Sequence, residues 1–177
     1  MRMTTGIVCF CAILAATGCC QDADLTESNK EVVRAVVRAM NEGRVDDLDL
    51  YIAQTYHRHC RATPDAVVET LDDFKNLMKT YEGAFPDGRV EIYELIAEGD
   101  MVAVTGTYRG THTAPMGPCP ATGRLVDSEF AGYHRLENGK IVETWVTWDN
   151  LAMFHQLGLD PPVAGTVEPG EPEQESG

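Results

Sequence analysis

The sequence predicts an α+β fold in which a curved antiparallel sheet wraps around three N-terminal helices and a short helix closes the chain. Apolar residues recur at helical spacing in the first half of the sequence, whereas after Pro86 they alternate with polar residues as in strands. One such change of period is typical of an α+β domain. The stretch that carries it, 29–160, holds roughly 130 residues, which is enough to bury one hydrophobic core.

Three helices are expected in the N-terminal half. The first begins at Thr26 or Ser28, either of which is a good N-cap, and ends at Gly43. A second, short helix spans 45–53, and the third begins at Thr70 and ends before the next proline. The apolar stripes of the two longer helices are expected to face the core. Their members are Val33, Val36, Val37 and Met40 in the first helix and Phe74, Leu77, Met78 and Tyr81 in the third.

Four strands and a last helix complete the predicted domain. The strands are expected at 89–97, 101–112, 123–136 and 141–149, and the helix at 150–156, before Gly158. A three-residue turn at 137–139 sets Leu136 opposite Lys140. The resulting face is apolar and aromatic, and we expect it to line a hollow between the sheet and the helices. Its members are Phe130, Gly132, His134, Val142, Thr144, Val146 and Trp148.

The N-terminal segment has the parts of an export signal in the right order. Arg2 precedes an apolar run at 7–16, which is far shorter than the ~20 residues of a spanning helix. Small residues at 17 and 18 then precede Cys19, and the segment resembles a bacterial lipobox. We therefore expect residues 1–18 to be a signal peptide and Cys19 to be the lipidated first residue of an exported, membrane-anchored lipoprotein on the periplasmic or cell-surface side. Ordinary secretion with cleavage nearby, and a cytoplasmic protein, are the alternatives.

Polar segments flank the predicted domain at 29–160. Residues 19–28 are expected to form a lipidated tether, and 161–177, rich in Pro, Gly and Glu, a disordered acidic tail. The 28 acidic and 14 basic residues give a formal net charge of −14. Because such a surface repels nucleic acid and anionic lipid, we expect no nucleic-acid partner and membrane contact through the lipid anchor only.

The cysteines and histidines predict neither a metal site nor a cofactor. The sequence contains no CxxC pair, and the extended His57-x-His59 pair lacks a third ligand at useful spacing. Cys60 and Cys119 are the two cysteines within the predicted domain. A disulfide between them and unpaired buried cysteines are both open interpretations.

Seven stretches of the sequence resemble, in order and spacing, the SnoaL-like polyketide cyclase and ester cyclase family of the nuclear transport factor 2 superfamily. They are NKEVV at 29–33, AFPD at 84–87, IAEGDMVAV at 96–104, GTHT at 110–113, ATGR at 121–124, ENGKIVETW at 137–145 and QLG at 156–158. The resemblance spans nearly all of the predicted domain.

This resemblance implies a cone-shaped α+β barrel with a blind pocket between sheet and helices. In the family's cyclases a pocket carboxylate assists the intramolecular aldol closure of a polyketide methyl ester, which needs an acid/base group but no metal or other cofactor. That aspartate aligns with Val146, and a histidine that supports it aligns with Gly132. Both groups are therefore missing from this chain. Many relatives pair through the outer face of the sheet, so the resemblance also implies a homodimer.

Histidines are the remaining acid/base candidates. His134 lies on the predicted inner face and can take up a proton near neutral pH, with a hydrogen-bonded structural histidine as the alternative. His59 aligns with a family histidine that faces the pocket, and His112 lies in the family-like GTHT stretch. We therefore expect His134 and His59 to be catalytic. The expected ligand-binding residues are Tyr56, His112, Phe130, Thr144, Val146 and Trp148.

Two functions of different classes follow from the sequence. The first is an exported ester cyclase-type protein that binds a small hydrophobic molecule and uses a histidine for acid/base cyclisation or isomerisation next to a carbonyl. The second is a noncatalytic lipoprotein that holds a hydrophobic ligand, for which the apolar Val146 is favourable.

Overall fold

The structure is a computed structural model that describes residues 14–159, with side chains described from residue 22 onwards. The predicted signal peptide 1–18, the lipidation site at Cys19 and the tail 161–177 fall largely or wholly outside the described residues. The elements are α1 (Leu14–Asn41), a 3-10 helix (Val45–Leu50), β1 (Ile52–His59), α2 (Leu71–Ala84), β2 (Arg89–Glu98), β3 (Met101–Thr111), β4 (Leu125–Glu137), β5 (Lys140–Trp148) and α3 (Asn150–Leu157).

Helix α1 begins earlier than the sequence predicted. Neither Thr26 nor Ser28 caps it, and residues 22–28, predicted as part of a tether, continue the helix. Ion pairs along one side of the helix accompany this extension: Glu27 lies 2.7 Å from Lys30 and 2.8 Å from Arg34. Pairs at such helical spacings support helix formation, although each contributes little when exposed.

The predicted second helix at 45–53 is wrong in its second half. A 3-10 turn ends at Leu50, and the chain then enters β1, where Ile52 and Tyr56 are buried. Strand β1 runs parallel to β5, so the sheet is mixed and not purely antiparallel. The two strands lie about 90 residues apart in sequence. Next to this pairing, the Lys140 ammonium at the start of β5 donates a hydrogen bond to the Asp49 carbonyl, shortly before β1. A local pattern does not reveal such a partner.

The caps of the other helices agree with the sequence. The Thr70 hydroxyl accepts a hydrogen bond from the Asp73 amide at 3.1 Å and begins α2. The Asp149 carboxylate accepts from the Ala152 amide at 2.9 Å, and Gly158, at φ +68°, ends α3. An N-cap of this kind contributes about 1 kcal/mol to stability.

The sheet is curved and unclosed, with strand order β1-β5-β4-β3-β2. At the β4–β5 hairpin the predicted three-residue turn is wrong: Glu137 pairs with Lys140, and a two-residue loop with positive φ at Asn138 and Gly139 joins them. A bulge beyond Arg135 adds one residue to β5 and restores the predicted alternation. The predicted alternation is confirmed from the His134–Thr144 pair onwards, whereas near the hairpin Ile141, and not the predicted Val142, faces inward.

Two apolar clusters stabilise the fold. The larger joins α1, α2 and the sheet and includes Val33, Leu48, Leu71, Val102 and Ile141. The smaller joins the end of α2 to β4 and α3. Among residues 14–159, no helix is both long and apolar enough to cross a membrane.

Candidate functional site

A cavity of about 420 Å³ lies between the inner face of the sheet and the two long helices. Its volume and apolar walls are typical of small-molecule sites. Helical residues on its wall include Val33, Val36, Val37, Met40, Phe74, Met78 and Tyr81. The stripes predicted to be core thus have two roles, because Val33, Val36 and Phe74 belong to the larger apolar cluster and also line the cavity.

Most of the predicted ligand-binding residues reach this cavity. The strand alternation brings together residues from β1, β4 and β5 on one surface. The predicted site residues that line it are Tyr56, Phe130, His134, Thr144, Val146 and Trp148. His59 and His112 do not line it.

His134 is the histidine of the cavity wall. Its Nδ1 lies 2.8 Å from the Thr144 hydroxyl oxygen, and these residues are direct partners across β4 and β5. Burial lowers the pKa of His134 to about 4, so the imidazole is neutral at pH 7. If Nδ1–H donates to Thr144, the Nε2 lone pair is free to accept a proton or a hydrogen bond.

Tyr56 and Thr144 are the buried polar neighbours of this histidine. Both are almost inaccessible to solvent, with 2% and 5% of their surfaces exposed. Burial raises the pKa of Tyr56 to about 12, against the opposing effect of its hydrogen bonding with Thr144. The phenol therefore stays protonated, and a short polar group of Tyr56, Thr144 and His134 interrupts the apolar wall.

An aromatic surface forms the other side of the cavity. The Trp148 ring lies 5.0 Å from the Phe130 ring and meets the Tyr108 ring edge-on at 6.2 Å. Burial raises the pKa of Tyr108. The indole Nε1 of Trp148 has no hydrogen-bond partner among the described residues. Such rings favour a flat, largely apolar ligand.

Tyr108 and Arg58, neither of which was predicted to be a site residue, also line the cavity. Tyr108 has an inward position on β3 that strand alternation could have indicated. Arg58 lies on β1, which was predicted neither as a strand nor as a sheet partner, so no pattern placed it near His134.

His59, which was predicted to be catalytic, lies on the outer face of the sheet and does not line the cavity. Its ring stacks on Trp145 at 5.0 Å, and its Nε2 lies 2.8 Å from a Glu143 carboxylate oxygen. Hydrogen bonds from His59 and then from Arg135 lower the pKa of Glu143. Since side chains alternate along β1, Arg58 takes the inward position next to it.

His112, which was predicted to bind the ligand, does not line the cavity either. Its side chain is fully buried, stacks on Phe85 at 5.0 Å and has Nδ1 3.3 Å from the Thr122 hydroxyl. This ring packs at the end of β3, outside the cavity wall. Packing against Phe85 turns the His112 ring towards the protein interior and away from the cavity.

Cys60 and Cys119 are both free and partly exposed, so the structure contains no bridge between them. Within residues 22–159, no group of three or more His, Cys, Asp or Glu side chains is placed to hold a metal ion.

Comparison with known proteins agrees with this architecture. The family model of SnoaL-like polyketide cyclases matches residues 30–157. IdmH of Streptomyces antibioticus, a candidate polyketide cyclase, is 26% identical, with a TM-score of 0.66 over 74% of this chain and 99% of its own. A candidate polyketide cyclase of Acidithiobacillus ferrooxidans is 28% identical, with a TM-score of 0.67 over 74% of this chain and 94% of its own.

A third similar structure has a different assigned chemistry. AclR of Streptomyces galilaeus, a candidate hydroxylase, is 25% identical, with a TM-score of 0.67 over 77% of this chain and 99% of its own. No curated protein matches the chain. The fold defines a protein of the nuclear transport factor 2 type. The chain belongs to the SnoaL-like polyketide cyclase family.

Proposed function

We propose that this protein binds a small hydrophobic molecule in its cavity and that His134 acts as the acid/base group for a cyclisation or isomerisation next to a carbonyl. The observation that carries the proposal is the 2.8 Å contact between His134 Nδ1 and Thr144 inside an apolar cavity. This contact fixes the ring through Nδ1, so the proposal assigns the proton transfer to Nε2.

In the cyclisation, Nε2 of His134 takes a proton from the carbon next to a carbonyl, and the electron pair of the C–H bond forms an enolate. The enolate carbon attacks a second carbonyl of the same molecule, which forms the new C–C bond and an alkoxide. The imidazolium then returns its proton to the alkoxide oxygen. Protons and electrons balance within one substrate, and the apolar wall excludes water from the enolate.

The test is native mass spectrometry of the purified protein after incubation with a small-molecule extract, followed by release of the bound species. A released species that differs in mass or structure from what entered supports the reaction, as does loss of the conversion in His134→Gln. Equal conversion by wild type and His134→Gln would exclude His134 as the acid/base group. His155→Gln, on the exposed side of α3, is the matched control.

Noncatalytic ligand binding is the second candidate function, and Val146 favours it. Where the family resemblance places an acid/base aspartate, this chain has an apolar side chain on the cavity wall. Release of a ligand with unchanged structure from wild-type protein would support this carrier function over the cyclase function.

We also propose export as a lipoprotein anchored through Cys19, on the basis of the lipobox-like segment. The expected result is that the full chain partitions into membranes and that its first mature residue carries lipid. Cys19→Ala should abolish this partition, whereas Cys20→Ala should leave it intact. Partition unaffected by Cys19→Ala would contradict the proposal.

We further propose a homodimer through the outer face of the sheet. A row of five residues in register crosses all five strands on that face, and it includes exposed Tyr133 and Ile96. The row is Ile96, Ala103, Tyr133, Trp145 and His59. Sedimentation should give a dimer mass for wild type and a monomer mass for Tyr133→Asp. Leu50→Asp, the control at another exposed apolar residue, should remain a dimer. A monomer mass for wild type would contradict the homodimer proposal.

A further inference from the structure

The charged side chains of the cavity wall differ in exposure. Four charged residues of the described chain line it, and three of them, Glu42, Glu82 and Arg89, are exposed. Glu42 is also paired with Arg44 at 2.6 Å. Arg58 is the half-buried member of this set. Its position makes it the charged group most able to act on a ligand inside the cavity.

The Arg58 guanidinium has few protein partners. Among residues 22–159 it forms no ion pair with a carboxylate, and its side-chain hydrogen bond is a long one of 3.4 Å from Nη1 to the Thr63 hydroxyl. A guanidinium offers five N–H donors in a planar fork. Partial burial of a guanidinium without a hydrogen-bonded carboxylate is unfavourable. The chain has 28 acidic residues, yet the described ones leave Arg58 without such a partner.

Arg58 lies beside the polar group formed by Tyr56, Thr144 and His134. Burial raises the pKa of both Tyr56 and Tyr81, and the positive charge of Arg58 acts in the opposite direction on each. Both tyrosines line the cavity. The charge of Arg58 therefore acts at the cavity wall.

Arg58 and His134 belong to one row on the inner face of the sheet. Arg58 on β1 is the register partner of Thr144 on β5, and Thr144 is the register partner of His134 on β4. Two interstrand steps separate the Cα atoms of Arg58 and His134, which is about 10 Å. A ligand of modest length can contact both side chains.

We propose that Arg58 binds the carboxylate of a hydrophobic carboxylic acid, and that this is the ligand class of the cavity. The inference rests on the proposed function, in that it assumes a small hydrophobic ligand in this cavity. The planar guanidinium matches a carboxylate through two parallel hydrogen bonds. The apolar part of the ligand lies against the aromatic wall of Phe130 and Trp148, and a carbon several bonds from the carboxylate faces His134.

The experiment is competition against a neutral fluorescent reporter, N-phenyl-1-naphthylamine, at pH 7.5. Octanoate and methyl octanoate are the two competitors. They share the same chain, and the ester is the more apolar, so a preference for octanoate reports its charge. We expect octanoate to displace the reporter at about tenfold lower concentration than the ester, which is the contribution of one charge-assisted hydrogen bond.

Three variants assign that preference to one side chain. Arg58→Gln should abolish the octanoate preference, measured as the ratio of the concentrations at which the two competitors displace the reporter. Arg58→Lys, which keeps the charge but not the planar fork, should retain part of it. Arg109→Gln makes the same charge change at an exposed position on β3 and should behave as wild type.

The outcomes separate this inference from the function on which it rests. A reporter that does not bind to wild-type protein would contradict the binding function itself. A reporter that binds, with equal or better competition by the ester, would overturn the carboxylate inference and leave the binding function intact. An octanoate preference that persists in Arg58→Gln would overturn the assignment to Arg58. If Arg58→Gln does not fold, the wild-type ratio and Arg58→Lys decide.

Discussion

Gly132 and Val146 are direct partners across β4 and β5, and a Cβ at position 132 would lie only 2.5 Å from the carbonyl oxygen of Trp145. These are the two positions where the family resemblance places a histidine and an aspartate. The close approach means that no side chain fits at 132 unless β5 moves. The contact therefore accounts for the missing side chain at 132, and it is independent of the residue type at 146.

Gly132→Ala should destabilise the protein by about 1–3 kcal/mol, because the new methyl group meets a backbone oxygen that moves only with its strand. Urea unfolding at pH 7 measures the change. Gly83→Ala in α2 is the control, since a Cβ there meets nothing within 4 Å and should stabilise the helix by about 0.5–1 kcal/mol. Equal stability of wild type and Gly132→Ala would show that β5 adapts freely.

Val146→Asp should weaken binding of N-phenyl-1-naphthylamine by about tenfold or more, because it adds a carboxylate to an apolar wall without a hydrogen-bond partner. Fluorescence titration measures the affinity. Thr147→Asp introduces the same charge at the next, exposed position of β5 and should leave the affinity unchanged. Unchanged affinity in Val146→Asp would place the reporter outside the cavity.

The buried His134 should make stability depend on pH. Its folded-state pKa, about 4, lies below the ordinary value of 6.5, so the unfolded chain binds the proton more readily. This contribution to stability is therefore intact above pH 6.5 and is lost as pH falls towards 4. Between pH 7 and pH 4.5 wild type should lose about 2–3 kcal/mol more than His134→Gln.

Urea unfolding at the two pH values measures this difference, and subtracting one protein's loss from the other's removes the shared titration of carboxylates. His155→Gln, at an exposed position, should show the wild-type loss. The same loss in wild type and His134→Gln would mean that the His134 ring is hydrated and titrates normally.

His59→Gln should leave reporter affinity and any turnover unchanged, because the ring lies outside the cavity against Trp145 and Glu143. Its effect on stability should be below about 1 kcal/mol, since the pair with Glu143 is partly exposed. Titration with the reporter and urea unfolding measure the two quantities. A loss of affinity greater than about threefold would return His59 to the ligand site.

Local sequence patterns predicted the elements whose signals are local. Thr70 and Asp149 mark helix starts through their own side chains, and Gly158 marks an end through its positive φ. The long strands β2 to β5 follow from alternation and turn residues. The inner face of β4 and β5 was also predicted, although the tighter turn and the bulge were both missed. Each shifts the register by one residue in the same direction, and a total shift of two residues preserves the alternation of a strand.

Non-local contacts decided the rest. Strand β1 exists because it pairs in parallel with the distant β5, and this pairing turns Arg58 inward and His59 outward. His112 is excluded from the cavity by packing against Phe85. By itself the sequence determined the fold class, the caps of α2 and α3 and the presence of His134 on an apolar inner face, because short-range sterics and periodicity fix them. Only the tertiary structure decided which charged groups share the cavity with His134, because that depends on strand neighbours far apart in the chain.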